Sequence, residues 1–60
     1  MEKLLDVVEA ADFLDLSPKT IYTYICKRKI PFLKINSSVR FRQSDLESWI
    51  EKHLVKPLAD

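Results

Sequence analysis

Two helix-start signals, at Asp6 and Ser17, leave so little chain between them that only a short helix and a tight turn fit there. Asp6 is a good N-cap, and Glu9 three positions later completes a D-x-x-E form of the capping box. Ser17 places a hydroxyl where it accepts from a free amide in the first turn of the next helix. Pro18 follows at the first helical position, where its missing N–H costs nothing and its fixed φ is already helical. Between the two caps Val7, Ala10, Ala11 and Leu14 recur at i, i+3, i+4, i+7, the stripe of a helix buried on one side. The two alanines allow another helix to approach closely. Asp15-Leu16 suffices only for a turn, with Leu16 plugging the corner.

On a wheel of 100° per residue, Ile21, Tyr24 and Ile25 share the apolar side of the second helix, and Lys19, Tyr22, Thr23, Cys26 and Lys27 share the other. Helix, tight turn, capped helix is the spacing of a helix-turn-helix, although generic αα-hairpins share it. The helix is expected to run out in Lys27-Arg28-Lys29, cations that suit its C-terminal dipole. Pro31 then blocks continuation and biases Ile30 towards an extended conformation. Two runs of period two follow. Phe32-Leu33-Lys34-Ile35 is expected to turn Leu33 and Ile35 inwards, and Val39-Arg40-Phe41-Arg42 to turn Val39 and Phe41 inwards. Asn36-Ser37-Ser38 supplies the turn, and Lys34, Arg40 and Arg42 make the hairpin's outward face a cationic wing. Ser44 with Glu47 is expected to open a third helix as an S-x-x-E box, with Leu46, Trp49, Ile50 and His53 or Leu54 facing inwards. The aperiodic segment from Val55 to Asp60, containing Pro57, is expected to be a frayed tail.

Charge distribution says more than the net charge of +1. Residues 17–43 carry seven cations and no acid, whereas residues 1–16 carry −4 and residues 44–60 carry −2. A basic middle between acidic flanks suggests one face for a polyanion and another that repels it. With no glycine in the chain, a phosphate-cradling Walker loop or a dinucleotide fingerprint is excluded. The residues also argue against an enzyme. The single histidine lies near a terminus, the carboxylates Asp6, Glu9, Asp45 and Glu47 are accounted for at helix starts, and 60 residues leave little room for a substrate cavity. One cysteine and one histidine do not make a structural zinc site. No cofactor is expected. No apolar run approaches a bilayer span, nothing at the N-terminus looks like a signal peptide, and an intracellular, soluble protein is expected.

In the order helix, turn, capped helix, proline, basic hairpin, helix, the chain resembles the excisionase-type helix-turn-helix domain, a small winged-helix relative of the DNA-binding domains of MerR-type regulators. The resemblance runs from Leu4 to Leu54. It is carried by Glu9-Ala10-Ala11, Leu14, Leu16-Ser17, Thr20-Ile21-Tyr22, Ile30-Pro31, Leu33-Lys34-Ile35, Val39-Arg40-Phe41-Arg42 and Asp45-Leu46-Glu47-Ser48-Trp49-Ile50. The chain departs from the family at Asp15, Arg28 and Asn36, where glycine is frequent, and at Ser37 and Ser38, where basic residues are frequent. Arg28 or Lys29 must then end the second helix without glycine, at a small strain cost.

The expected fold is therefore α+β, a small winged helix-turn-helix of helix, helix, β-hairpin wing and helix over residues 1–54, followed by a flexible tail at 55–60. Ser17 and Thr20, with the amides of the second helix, are expected to anchor DNA phosphates. Lys19, Tyr22 and Thr23 are placed to meet base edges in the major groove. Lys34, Arg40 and Arg42 are expected on the backbone or an adjacent minor groove, and Lys27 and Arg28 on phosphates. Other roles compete: Tyr22 packing against the wing, Thr23 as a plain solvent-facing residue, and Arg40 pairing with a first-helix acid such as Asp12. Cys26 reads as a small filler.

What the resemblance implies is a sequence-specific binder of double-stranded DNA from a mobile element or prophage. Such proteins bend attachment-site DNA and promote excision by a tyrosine recombinase, the integrase, with neighbouring copies meeting on the DNA. Some relatives are small transcriptional regulators, and a protein-interaction winged helix with Tyr22 and Phe32 as anchors is a third reading. No zipper is present, so a monomer in solution is expected, cytoplasmic and nucleoid-associated when bound.

Overall fold

A computed structural model describes residues 2–58. The order is β1 (Leu4–Leu5), α1 (Val7–Leu14), α2 (Pro18–Cys26), β2 (Leu33–Ile35), β3 (Ser38–Arg42) and α3 (Gln43–Lys52). This is the winged helix-turn-helix expected, with one addition: Leu4–Leu5 pair with β3, making an antiparallel sheet of order β1-β3-β2. Two residues are too few to show a period of two, so nothing in the local pattern marks them as a strand.

The core joins the three helices to β3. Val7, Ala10 and Ala11 of α1, Ile21 of α2, Ile30, Phe41 of β3 and Leu46 of α3 are buried together, with Leu14, Leu16, Tyr24, Ile25 and Trp49 packed around them. Both caps are in place. The Asp6 carboxylate accepts from the Glu9 N–H at 2.8 Å while Glu9 accepts from the Asp6 N–H at 3.1 Å. Ser17 Oγ accepts from the Thr20 N–H at 3.2 Å.

Both N-terminal helices end in the same way. After α1, the Leu16 N–H reaches the Ala11 carbonyl at 2.9 Å and the Asp15 N–H reaches Asp12 at 3.2 Å. After α2, Lys29 reaches Tyr24 at 2.8 Å and Arg28 reaches Ile25 at 3.1 Å. These are 6→1 and 5→2 pairs, the Schellman closure, which needs a left-handed residue just past the helix. Asp15 (φ 57°) and Arg28 (φ 53°) supply it without being glycine. The helix accordingly stops at Cys26 rather than running into Lys27–Lys29, and those cations wrap the corner beyond it. The wing has the same character. Asn36 (φ 49°) and Ser37 (φ 70°) form a two-residue turn, the I′ pattern that matches strand twist.

Each left-handed non-glycine residue costs about 1–2 kcal/mol, offset in part by the lower entropy of its unfolded chain. Arg28→Gly and Ser37→Gly are therefore each expected to stabilise the domain by roughly 0.5–1 kcal/mol, raising Tm by about 2–8 °C in a chain of this size, as read by circular dichroism.

The turn also corrects the wing's faces. Ser38 is already in β3, and the register pairs Leu33 with Arg40, Lys34 with Val39 and Ile35 with Ser38. Directly paired residues share a face, so Leu33 and Ile35 lie on the outer side with Arg40, and Ile35 is 46% exposed. Phe32 packs on the core in their place. The expected inward pair came from treating three residues as the turn, and a slip of one residue exchanges the faces. By the same register Lys34 and Arg40 are on opposite faces and do not form one cationic surface.

The start of α3 is corrected as well. It begins at Gln43, with Arg42 as its N-cap residue and no side-chain cap of its own. Ser44 is not a cap: its Oγ donates to Glu2 Oε1 at 2.6 Å and its N–H donates to Glu2 Oε2 at 3.1 Å. A carboxylate from the other end of the sequence thus satisfies a free amide at the helix start. Further along, Leu46 is buried and Trp49 half-buried, but Ile50, His53 and Leu54 are exposed. Trp49 does more than fill the core. Its Nε1–H donates to the Lys29 carbonyl at 2.8 Å, pinning the segment after α2 to α3. Leu54–Leu58 are exposed and have no regular structure, while Ala59 and Asp60, the last positions of the expected tail, lie outside the described residues.

The two hydrogen bonds from Ser44, and then the nearby Arg42, hold the Glu2 carboxyl below the ordinary glutamate range. Glu9 is likewise lowered, first by the Asp6 N–H and then by Lys3. Groups lowered on folding stabilise the native state above their unfolded pKa, and that contribution is lost as pH falls through the folded one. Thermal melts are expected to show a drop in Tm from about pH 6 to about pH 3, and Glu2→Gln should make it shallower. An acid limb unchanged in Glu2→Gln would mean that the carboxylate does not cap α3.

Candidate nucleic-acid interface

The surface to be judged is the side of α2 turned away from the core. Ile21 is buried and Tyr24 and Ile25 are half-buried, so Lys19, Tyr22, Thr23, Cys26 and Lys27 are left exposed, with Tyr22 at 57%. The division of this helix into an apolar and an open side is as expected. Ser17 Oγ and Thr20 Oγ1 lie 2.9 Å apart at its N-terminus, where free amides and the positive dipole end favour an anion. The Thr23 hydroxyl donates to the Lys19 carbonyl at 3.1 Å, which restrains its rotamer on an exposed position of the helix.

The cations fall into three groups. Lys27 and Arg28 lie past the end of α2, and Arg28 shares a surface hollow with Lys34, Cys26 and Phe32. The register that turned Lys34 away from Arg40 brings it towards this corner instead. No carboxylate lies within ion-pair distance of Lys19, Lys27, Arg28 or Lys34 among the described residues. Arg40 is different. It is half-buried, its Nη1 donates to its own residue's neighbour, the Val39 carbonyl, at 2.7 Å, and its charge helps to lower the Glu9 carboxyl. Among the described residues it forms no ion pair with Asp12 or any other first-helix acid.

Arg42 is engaged too. Its Nε is 2.7 Å from Asp45 Oδ2, and that bond raises its pKa above the ordinary guanidinium value. At the start of α3 and opposite Leu4, it stands apart from the α2 corner. Tyr22, Ser37, Ser38 and Arg40 border one hollow with the start of α1, so the exposed aromatic lies between the helix and the wing tip.

No group of three or more His, Cys, Asp or Glu that could hold a metal ion occurs among the described residues. Among them, no helix is long and apolar enough to cross a membrane. The arrangement is suited to meeting a polyanion along one helix and one corner. A family model described as a helix-turn-helix domain matches residues 4–54. No curated protein and no solved structure matches the chain.

Proposed function

This chain belongs to the helix-turn-helix domain family, one associated with excisionase-like DNA-binding domains, and from that premise we propose that it is an excisionase. Helix-turn-helix domains bind double-stranded DNA by laying the second helix in the major groove, N-terminal residues towards the bases. In this reading Lys19, Tyr22 and Thr23 meet base edges while Ser17, Thr20, Lys27, Arg28 and Lys34 hold phosphates. Arg40 and Arg42 are secondary, since a phosphate contact would replace an existing partner of each. The DNA-binding unit is residues 1–54, it carries no catalytic residue and needs no cofactor, and its place is the bacterial cytoplasm, on the nucleoid when bound.

The observation that supports this reading best is that Lys19, Lys27, Arg28, Lys29 and Lys34, on α2, around its C-terminal corner and on β2, are exposed and in no ion pair among the described residues. A module this small makes few base contacts, so bending of the DNA and adjacent sites supply much of the specificity. The excision role is tested by recombination of an attachment-site substrate by the cognate integrase. Excised product is expected to rise when this protein is added and not when Lys19→Ala is added. Equal product with and without it, alongside retained binding near a promoter, would point to the transcriptional regulator instead.

A further inference from the structure

Lys29 is held at both of its backbone groups, by two different helices. Its N–H donates to the Tyr24 carbonyl of α2 at 2.8 Å, and its carbonyl accepts from Trp49 Nε1–H of α3 at 2.8 Å. The amides of Lys27 and Arg28 also return to α2, at Thr23 and Ile25. Among the described residues, the indole bond is thus the one hydrogen bond that ties this corner to α3. The indole that makes it is flanked on two sides. The Tyr24 ring lies 6.0 Å away at 57° and the His53 ring 4.2 Å away at 49°. His53 Nδ1 is in turn 2.8 Å from the Trp49 carbonyl.

Stability alone does not call for this bond. It lies at an exposed position, where water would satisfy the Lys29 carbonyl at small cost. What the indole supplies is direction. Lys27, Arg28 and Lys29 are exposed, and Arg28 holds φ 53° without being glycine. Cations carried on a fixed backbone lose less freedom when they meet a phosphate than cations on a loose one. We propose that Trp49 is a positioning residue for DNA binding: through Nε1–H and the Lys29 carbonyl it holds the Lys27–Lys29 corner in the geometry that meets phosphate. The indole packs against the core and acts on DNA only through that corner. The proposal rests on the DNA-binding reading and deepens it, by giving α3 a part in affinity.

Fluorescence anisotropy with an end-labelled random duplex at ~0.1 M salt tests it. The parent is compared with Trp49→Phe and with a synthetic chain carrying 3-benzothienylalanine at position 49, which keeps the indole's shape and replaces its N–H by sulfur. The synthetic chain decides the matter where Trp49→Phe does not fold. Each variant is expected to bind about tenfold more weakly. The Arg28 and Lys29 amides should exchange faster with solvent while those of Ala10 and Ala11 keep the parent's rates. A merely structural role would lower affinity whatever the corner carries. The loss is therefore measured again in Lys27→Ala/Arg28→Gly/Lys29→Ala, where it should vanish, and in Lys19→Ala, where it should persist. Unchanged affinity in the synthetic chain, with a parent that binds, overturns the proposal and leaves the DNA-binding reading standing. So does a loss of the same size in the triple background. A parent that binds no duplex overturns that reading, and the proposal with it.

Discussion

Phe41→Ala is expected to leave the chain largely unfolded at room temperature. Phe41 is fully buried on the central strand, opposite Leu5 and within the cluster that joins α1, α2 and α3. Truncating a buried phenylalanine costs about 3–5 kcal/mol in lost transfer energy and cavity. A 60-residue domain without disulfide or metal has about 3–5 kcal/mol in total from its core. The two figures are of one size, so the variant should show no cooperative melt by circular dichroism and no dispersed amide spectrum. Phe41→Leu keeps most of the volume and should fold with a lowered Tm. A cooperative Phe41→Ala melt near the parent's would mean that the core is centred elsewhere.

The second large effect concerns affinity for DNA. If five cations meet phosphate, the slope of log affinity on log salt is about −4.5. Lys27→Ala/Arg28→Gly/Lys34→Ala removes the α2 corner and is expected to reduce it to about −2, weakening binding to a random duplex several-hundredfold at ~0.1 M salt. Glycine at 28 removes the charge while relieving the left-handed backbone, so loss of binding is not confounded by loss of fold. Lys19→Ala should instead weaken binding to the cognate site more than to a random duplex. A parent slope near zero, or a triple variant that binds as the parent does, would favour the protein-interaction reading.

Local signals carried the first half of the fold. Asp6 with Glu9 and Ser17 with Pro18 act within one helical turn, so they are legible in any window that contains them. Long-range partners are not. Glu2 looked like one of several acids in an acidic flank, yet it caps a helix that begins 41 positions later. Leu4–Leu5 become a strand only because β3 lies beside them, and Trp49 Nε1 finds a carbonyl that no periodicity announces. Asn-Ser-Ser reads equally well as two turn residues or three, and that choice decided which side of the sheet Lys34 occupies. The α2 face was legible because helical spacing alone sets it. The engaged state of Arg40 and Arg42 was not, since their partners, the Val39 carbonyl and Asp45, are defined by the wing strand and the start of α3.

The bond between Glu2 and Ser44 has a consequence for synthesis. Ser44 emerges from the ribosome 42 residues behind Glu2. At about 5–20 residues per second, the interval is roughly 2–8 s. Through that time Leu4 and Leu5 also wait for Arg42 and Phe41. The nascent chain therefore holds an unpaired apolar strand before its sheet exists, and Leu4–Leu5 wait longer for their partners than the helix caps that follow them.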